Sequence, residues 1–226
     1  MTTRRALLIA LSIGLAAVLA GCGGGDSGGG GDSGGGGNGG STSYLPMKLG
    51  NTWHYRMTLA PDVVPAQATG NQLFDYHEEV IGIASLSGKD YFIVRSTRDA
   101  TAQYPERVWQ QIRREDREAI YARVGDPAYD LPVLMLPPQR GESWSDPFFS
   151  EVTFTAAAVG EQVTVPAGTF GCVRVEERWE EAVVGGAPII HVIKSWYARG
   201  VGLVKDETWE DEAKTSMIEL TSYTIL

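Results

Sequence analysis

The sequence predicts a mainly β domain built as a curved antiparallel sheet with few helices. Three observations lead there. Trp53, Tyr55, Met57 and Leu59 alternate with polar neighbours, the period-two pattern of a half-buried strand. Short runs of β-branched and aromatic residues recur between Gly, Pro and Asp turn signals. No long apolar stripe at helical spacing appears, so a sheet with one apolar face has little to cover it and must curl on itself or expose a patch.

The first strand covers Trp53 to Leu59. Tyr91-Phe92-Ile93-Val94 follows the turn Ser87-Gly88-Lys89-Asp90. Residues 108–124 fit either a helix, with Val108, Ile112, Ala119 and Ile120 at helical spacing, or two strands joined by Glu115-Asp116-Arg117-Glu118. Charges in the middle interrupt the apolar stripe of a helix, which favours the hairpin. Val163 and Val165 lead into Pro166-Ala167-Gly168, where Pro and Gly occupy the second and fourth positions of a type I turn. Val173 and Val175 then alternate with Arg174 and Glu176. Ile189 to Tyr197 is rich in strand formers, Gly200-Val201-Gly202 reads as a turn or bulge into Leu203-Val204, and Met217 to Leu226 closes the chain as a strand.

Ahead of this domain lie two segments of different character. Arg4 and Arg5 precede an uncharged stretch from Ala6 to Val18. That stretch is shorter than the about 20 residues a bilayer span requires and has the form of a secretory signal peptide. Leu19-Ala20-Gly21-Cys22 resembles the lipobox of bacterial lipoproteins. The resemblance implies cleavage after Gly21, a diacylglycerol thioether on Cys22 and a membrane held through that lipid. Thr3-Arg4-Arg5-Ala6-Leu7-Leu8 also looks like a twin-arginine export signal, although the apolar stretch fits the general secretory route better. Residues 23–43 contain 13 glycines in 21 positions and otherwise only Ser, Asp, Asn and Thr. Such a composition buries no apolar surface and predicts a disordered tether spanning roughly 25 Å. The expected organisation is a signal peptide over 1–21, a lipidated cysteine and tether over 22–43, and one β-rich domain over 44–226.

Charge and cysteine usage narrow the function. The chain carries 19 basic and 28 acidic residues, a net charge of −9, and loss of Arg4 and Arg5 makes it −11. An acidic surface argues against nucleic acid and against anionic head groups. With Cys22 taken by lipid, Cys172 is the sole remaining thiol, so no internal disulfide is expected. A buried thiol packing as a small hydrophobe is the expected role.

Three further segments carry a resemblance. Tyr44-Leu45-Pro46-Met47-Lys48-Leu49-Gly50-Asn51-Thr52-Trp53 looks like the opening of a broad set of bacterial envelope proteins of unknown function. Val165-Pro166-Ala167-Gly168-Thr169-Phe170 and Trp196-Tyr197-Ala198-Arg199-Gly200-Val201-Gly202 look like its later signatures, in the same order. That set is similar at fold level to the open half-barrel of periplasmic lipoprotein carriers. The resemblance implies a sheet wrapped around an apolar groove and a lipid or lipopeptide ligand, with no reaction and no catalytic residues.

The residues themselves point the same way. His54, His77 and His191 have no zinc-site spacing and are expected on strand surfaces or rims. Gly141-Glu142-Ser143-Trp144-Ser145 lacks the spacing of a nucleophile elbow, and no phosphate-binding or dinucleotide fingerprint occurs. No catalytic residue, cofactor or metal is therefore expected. Glu176, Glu177, Glu180 and Glu181, and the run Asp206, Glu207, Glu210, Asp211 and Glu212, contain carboxylate pairs of the kind glycoside hydrolysis uses. Solvated strand ends explain them more simply. Trp53, Trp109, Trp144, Trp179, Trp196 and Trp209 are expected to fill a core or line a groove mouth. Trp53, Tyr55 and Trp196 are the candidate groove-lining residues.

Two functions follow. One is a non-enzymatic envelope lipoprotein that binds or carries an acyl-chain ligand, in the outer membrane facing the periplasm where a cell has two membranes. Gly23 after the lipidated cysteine supports that location, since an aspartate there resembles the inner-membrane retention signal. The other is an accessory lipoprotein acting through protein contacts.

Overall fold

The computed structural model describes residues 42–61, 71–101, 104–125 and 128–226. The signal peptide, Gly21, Cys22 and nearly all of the tether lie outside them. Every element among the described residues is a strand: β1 Thr52–Leu59, β2 Gln72–Leu86, β3 Lys89–Arg98, β4 Arg107–Glu115, β5 Ala119–Val124, β6 Tyr129–Met135, β7 Ser143–Ser145, β8 Thr153–Val165, β9 Gly168–Glu181, β10 Ile189–Ala198, β11 Gly202–Glu210 and β12 Ala213–Thr224. They form one antiparallel sheet in the order β6-β5-β4-β3-β2-β1-β12-β11-β10-β9-β8-β7. Adjacent strands are consecutive in sequence except β1 and β12, and the consecutive strands β6 and β7 form the two edges of the sheet. Residues 108–124 are the β4–β5 hairpin, with Asp116 Oδ1 accepting from the Glu118 and Ala119 amides at its turn.

The turns explain the hairpins. Ser87 and Gly88 both have positive φ, 52° and 74°, which matches the twist of the flanking β2 and β3. Pro166-Ala167 joins β8 to β9 where the turn chemistry placed it, and Gly168 takes φ 139°.

Bulges bend the sheet. Register shifts fall between His54 and Tyr55, Val80 and Gly82, Ile120 and Tyr121, and Trp196 and Tyr197, and twice in β8, from Ala156 to Ala158 and from Val159 to Glu161. Each adds local twist. The sheet stays open, but its edge strands approach one another. The Trp144 indole on β7 donates to the Pro132 carbonyl on β6 at 2.8 Å, and the Tyr129 hydroxyl donates to Asp146 at 3.0 Å. Pro132 is tolerated because β6 is an edge.

Two apolar clusters fill the fold. One contains Trp53, Tyr55, Met57, Phe74 and Trp109; the other contains Phe154, Val173, Val175, Trp179 and Ile193. The chain ahead of β1 closes one end of the sheet. Ser43 donates to Glu115 at 2.6 Å at the end of β4, and its carbonyl accepts from Gly200 at 2.8 Å in the β10–β11 turn. Tyr44 and Leu45 are thereby drawn into the second cluster.

Candidate functional site

Cross-strand pairing defines the two faces of the sheet. Met57 pairs with Ile218, Ile218 with Asp206, Asp206 with Ser195 and Ser195 with Val175. These residues share the inner face. In the other direction Trp53 pairs with Glu78, Glu78 with Ser96 and Ser96 with Trp109. Trp53 and Tyr55 therefore belong to the inner face, where both are 2% exposed. Their polar tips are engaged: Trp53 Nε1 donates to the Val201 carbonyl at 2.5 Å, and the Tyr55 hydroxyl donates to that of Leu203 at 3.1 Å.

Trp196 belongs to the opposite face. It pairs with Lys205 and Arg174, Lys205 pairs with Glu219, and Glu219 pairs with the exposed Arg56. Its burial has a different cause. The β8–β9 hairpin bends back until the Ala167 amide reaches the Leu220 carbonyl on β12 at 3.0 Å. Val163 and Val165 of that hairpin share a cluster with Trp196, Cys172 and Ala198. Strand pairing thus puts Trp53 and Tyr55 on one face and Trp196 on the other, although all three belong to one apolar cluster.

The inner face also carries polar groups that periodicity alone did not reveal. Arg113 on β4 grips Glu78 on β2, Nη1 to Oε2 at 2.9 Å and Nη2 to Oε1 at 2.8 Å. Gln111, Ser96 and the Tyr76 hydroxyl complete the network around Glu78. Burial opposes the charge on Arg113, but Glu78 outweighs it and raises the guanidinium above its ordinary value. Burial, then Glu78, pushes the Tyr76 phenol well above its usual range, and the same two causes raise Tyr55. Both phenols are neutral donors.

A second polar patch faces inward from β9, β10 and β11. Asp206 is 3% exposed and accepts from Ser195 Oγ at 2.7 Å. Burial pushes its carboxyl up to about 7, against the Ser195 hydrogen bond and with help from Glu207. Glu177 lies between Val175 and Trp179 on the inward row of β9, opposite Ile193. Burial, then Asp206 and Asp146, pushes it up to about 8. The Tyr197 phenol is raised by burial and then by Asp206. Glu177 and Tyr197 nevertheless keep accessible surface, and the Arg113 side chain keeps 18%. Three polar groups of the inner face, Arg113, Glu177 and Tyr197, are thus reached by solvent.

The acidic runs are thus not simply solvated strand ends. Glu180, Glu210, Asp211 and Glu212 reach solvent, but Glu177 and Asp206 sit mid-strand facing inward, and Glu207 is 7% exposed with Lys205 and Lys214 at 2.9 and 3.0 Å. His191 likewise departs from the expected rim position. It is buried, its ring stacks on Trp179 at 4.8 Å, and its Nε2 lies 3.2 Å from Glu181. His54 and His77 stack at 5.6 Å on the outer face, lining a shallow depression with Asp75 and Asp99. Among the described residues no three His, Cys, Asp or Glu side chains are placed to hold a metal ion.

The chain is similar to known proteins in two ways. Residues 156–226 match the DUF3108-like family, a stretch that includes Glu177, Ser195, Tyr197 and Asp206 but not Glu78 or Arg113. No curated protein matches the chain in sequence. A solved structure of a putative lipoprotein from Parabacteroides distasonis ATCC 8503 has a TM-score of 0.56 at 13% identity, covering 81% of this chain and 99% of that one. A putative exported protein with a YmcC-like fold from Bacteroides fragilis NCTC 9343 has a TM-score of 0.53 at 14% identity, covering 78% and 96%. At these identities the likeness is one of fold.

Proposed function

We propose that this chain is a non-enzymatic lipoprotein of the cell envelope, held on a membrane through Cys22, that binds an amphiphilic ligand with an acyl chain against the inner face of its sheet. The observation that carries this reading is the accessible surface left on Arg113, Glu177 and Tyr197 within an inner face otherwise built from buried Trp53, Tyr55, Met57, Val175 and Ile193. A fully packed interior would leave those polar groups sealed. The lipobox supports the anchor, Gly23 after it supports the outer membrane of a two-membrane cell, and the two structural neighbours described as a lipoprotein and an exported protein fit an envelope setting. Burying each methylene of an acyl chain contributes about 0.8 kcal/mol, so a short chain suffices for binding.

Titration of the protein with a fluorescent, uncharged acyl ester tests this. Saturable binding that weakens several-fold in Tyr197→Ala is expected. Absence of binding by any acyl ligand overturns the reading.

The accessory reading has its own observation. Phe148, Phe149 and Val184 are 62%, 53% and 92% exposed on the β7–β8 and β9–β10 loops. Those loops lie at one end of the sheet, because Thr153 at the start of β8 pairs with Arg178 near the end of β9. Adjacent exposed apolar tips fit protein contact. A crosslinked partner that is lost in Phe148→Ser/Phe149→Ser, with ligand binding unchanged, would favour it.

A further inference from the structure

The inner patch on β9–β11 is short of a cation. Among the described residues the Glu177 carboxyl has no hydrogen-bond or ion-pair partner, and every charged group that perturbs it, Asp206 and Asp146, is acidic. The nearby inner-face cation, Arg113, is already held by both oxygens of Glu78. Other polar atoms in the patch are also unsatisfied. Thr208 pairs with Ile193, which pairs with Glu177, so all three share one row across β11, β10 and β9. Thr208 is 8% exposed and its Oγ1 is buried without a partner. Trp179, the next inward residue after Glu177, is 6% exposed and its indole N–H is buried without a partner. Buried polar atoms in folded proteins are nearly always paired. The Glu177 carboxyl keeps accessible surface with no protein partner among the described residues, and the sealed Thr208 hydroxyl and Trp179 indole beside it are left unpaired, so the patch lacks a donor.

We infer that the polar group of the bound amphiphile is a primary amine, received by the Glu177 carboxyl on the inner face of β9–β11 between Asp206, Thr208 and Tyr197. This rests on the groove reading above. An ammonium supplies three donors and no acceptor, which suits the accessible Glu177 carboxyl. The Tyr197 ring is an aromatic neighbour of the kind cations favour. A carboxylate ligand would instead meet three inward carboxyls, Glu177, Asp206 and Asp146, with Arg113 neutralised by Glu78. Because burial holds Glu177 up to about 8, binding has a proton signature. The alkylammonium enters, the Glu177 proton leaves to solvent, and an ion pair replaces a neutral acid.

The experiment is calorimetric titration of the full chain with octylamine, octanol and octanoate near neutral pH, in two buffers of different ionisation enthalpy. We expect octylamine to bind about tenfold more tightly than octanol, as one charge-assisted hydrogen bond supplies, with release of part of a proton. In Glu177→Gln, which keeps the size of the side chain, the advantage of octylamine over octanol is lost. The proton count on the unaltered chain needs no variant to fold. Octanol bound as tightly as octylamine, without proton release, overturns the amine and leaves the groove. Octanoate bound most tightly also overturns the amine. No binding by any of the three overturns the groove and the amine with it.

Discussion

Arg113 and Glu78 face each other across β3, two strands apart, joined by two parallel hydrogen bonds of 2.8 and 2.9 Å on the inner face of the sheet. The fork geometry of guanidinium on carboxylate is strong and orientation-specific. Only 3% of the Glu78 side chain is exposed, so removing one partner leaves a buried charge uncompensated.

Glu78→Gln and Arg113→Met should therefore each destabilise the domain by about 3–5 kcal/mol. The double variant should recover much of that loss, because neither charge then remains. Urea unfolding of the four proteins measures the coupling. Single variants as stable as the parent would mean that the pair is not formed in solution.

Stability should also vary with pH in a specific direction. Glu177 and Asp206 have folded-state values raised to about 8 and about 7, so the folded state holds protons the unfolded chain would release. Their contribution is fully present below the unfolded value of about 4 and is lost as pH rises through about 7 to 8. Asp116, Asp130 and Glu207 act in the opposite sense. Burial opposes their ionisation, but hydrogen bonds to backbone amides, Tyr91, Arg114 or Lys205 hold them below the usual range. Their contribution is present above about 4 and lost as pH falls. The melting temperature should peak in mildly acidic solution and decline towards about pH 9. In Glu177→Gln the alkaline decline should shrink. A profile flat from mildly acidic to alkaline pH would contradict the inward placement of both carboxyls.

Much of the fold was legible because a strand states its own period. The alternation from Trp53 to Leu59, the Pro166-Ala167-Gly168 turn and the charged break in residues 108–124 each correspond to an element or a turn of the sheet. The polar interior was partly legible too. Phe74, Tyr76, Glu78 and Val80 fall on one parity of β2, and Val173, Val175, Glu177 and Trp179 on one parity of β9. An acidic residue in an apolar row is a signal, but grouping the acids by proximity in sequence hid it. Trp196 was beyond such reasoning. The bulge beside it and the return of the β8–β9 hairpin decide its face and its burial, and both depend on residues far along the chain. The Arg113–Glu78 pair joins positions 35 apart, and no local pattern links them.

Cys172 gives a further test of packing. It is 1% exposed, its thiol lies 3.6 Å from the Phe170 carbonyl, and burial followed by Glu161 pushes it up to about 12. A thiol so placed is inert. Maleimide should fail to label Cys172 in the native protein and label it fully in denaturant. Cys172→Ser should cost about 1–3 kcal/mol, through burial of a hydroxyl in an apolar site. Rapid native labelling would mean that the β8–β9 hairpin opens readily over β10.

The anchor is tested at Cys22. A thioether to diacylglycerol needs a sulfur nucleophile, and the small residues Ala20 and Gly21 ahead of it fit a peptidase that cuts before the modified cysteine. Cys22→Ala should therefore abolish incorporation of a fatty-acid probe and release the protein from the membrane fraction. The fold should be unaffected, because the described core begins at Tyr44. Metabolic labelling followed by fractionation measures both effects. Labelling that persists in Cys22→Ala would remove the lipid anchor. In a cell with two membranes the labelled parent should fractionate with the outer one, because Gly23 rather than an aspartate follows the cysteine. Recovery solely in the inner membrane would refute that placement while leaving the anchor intact.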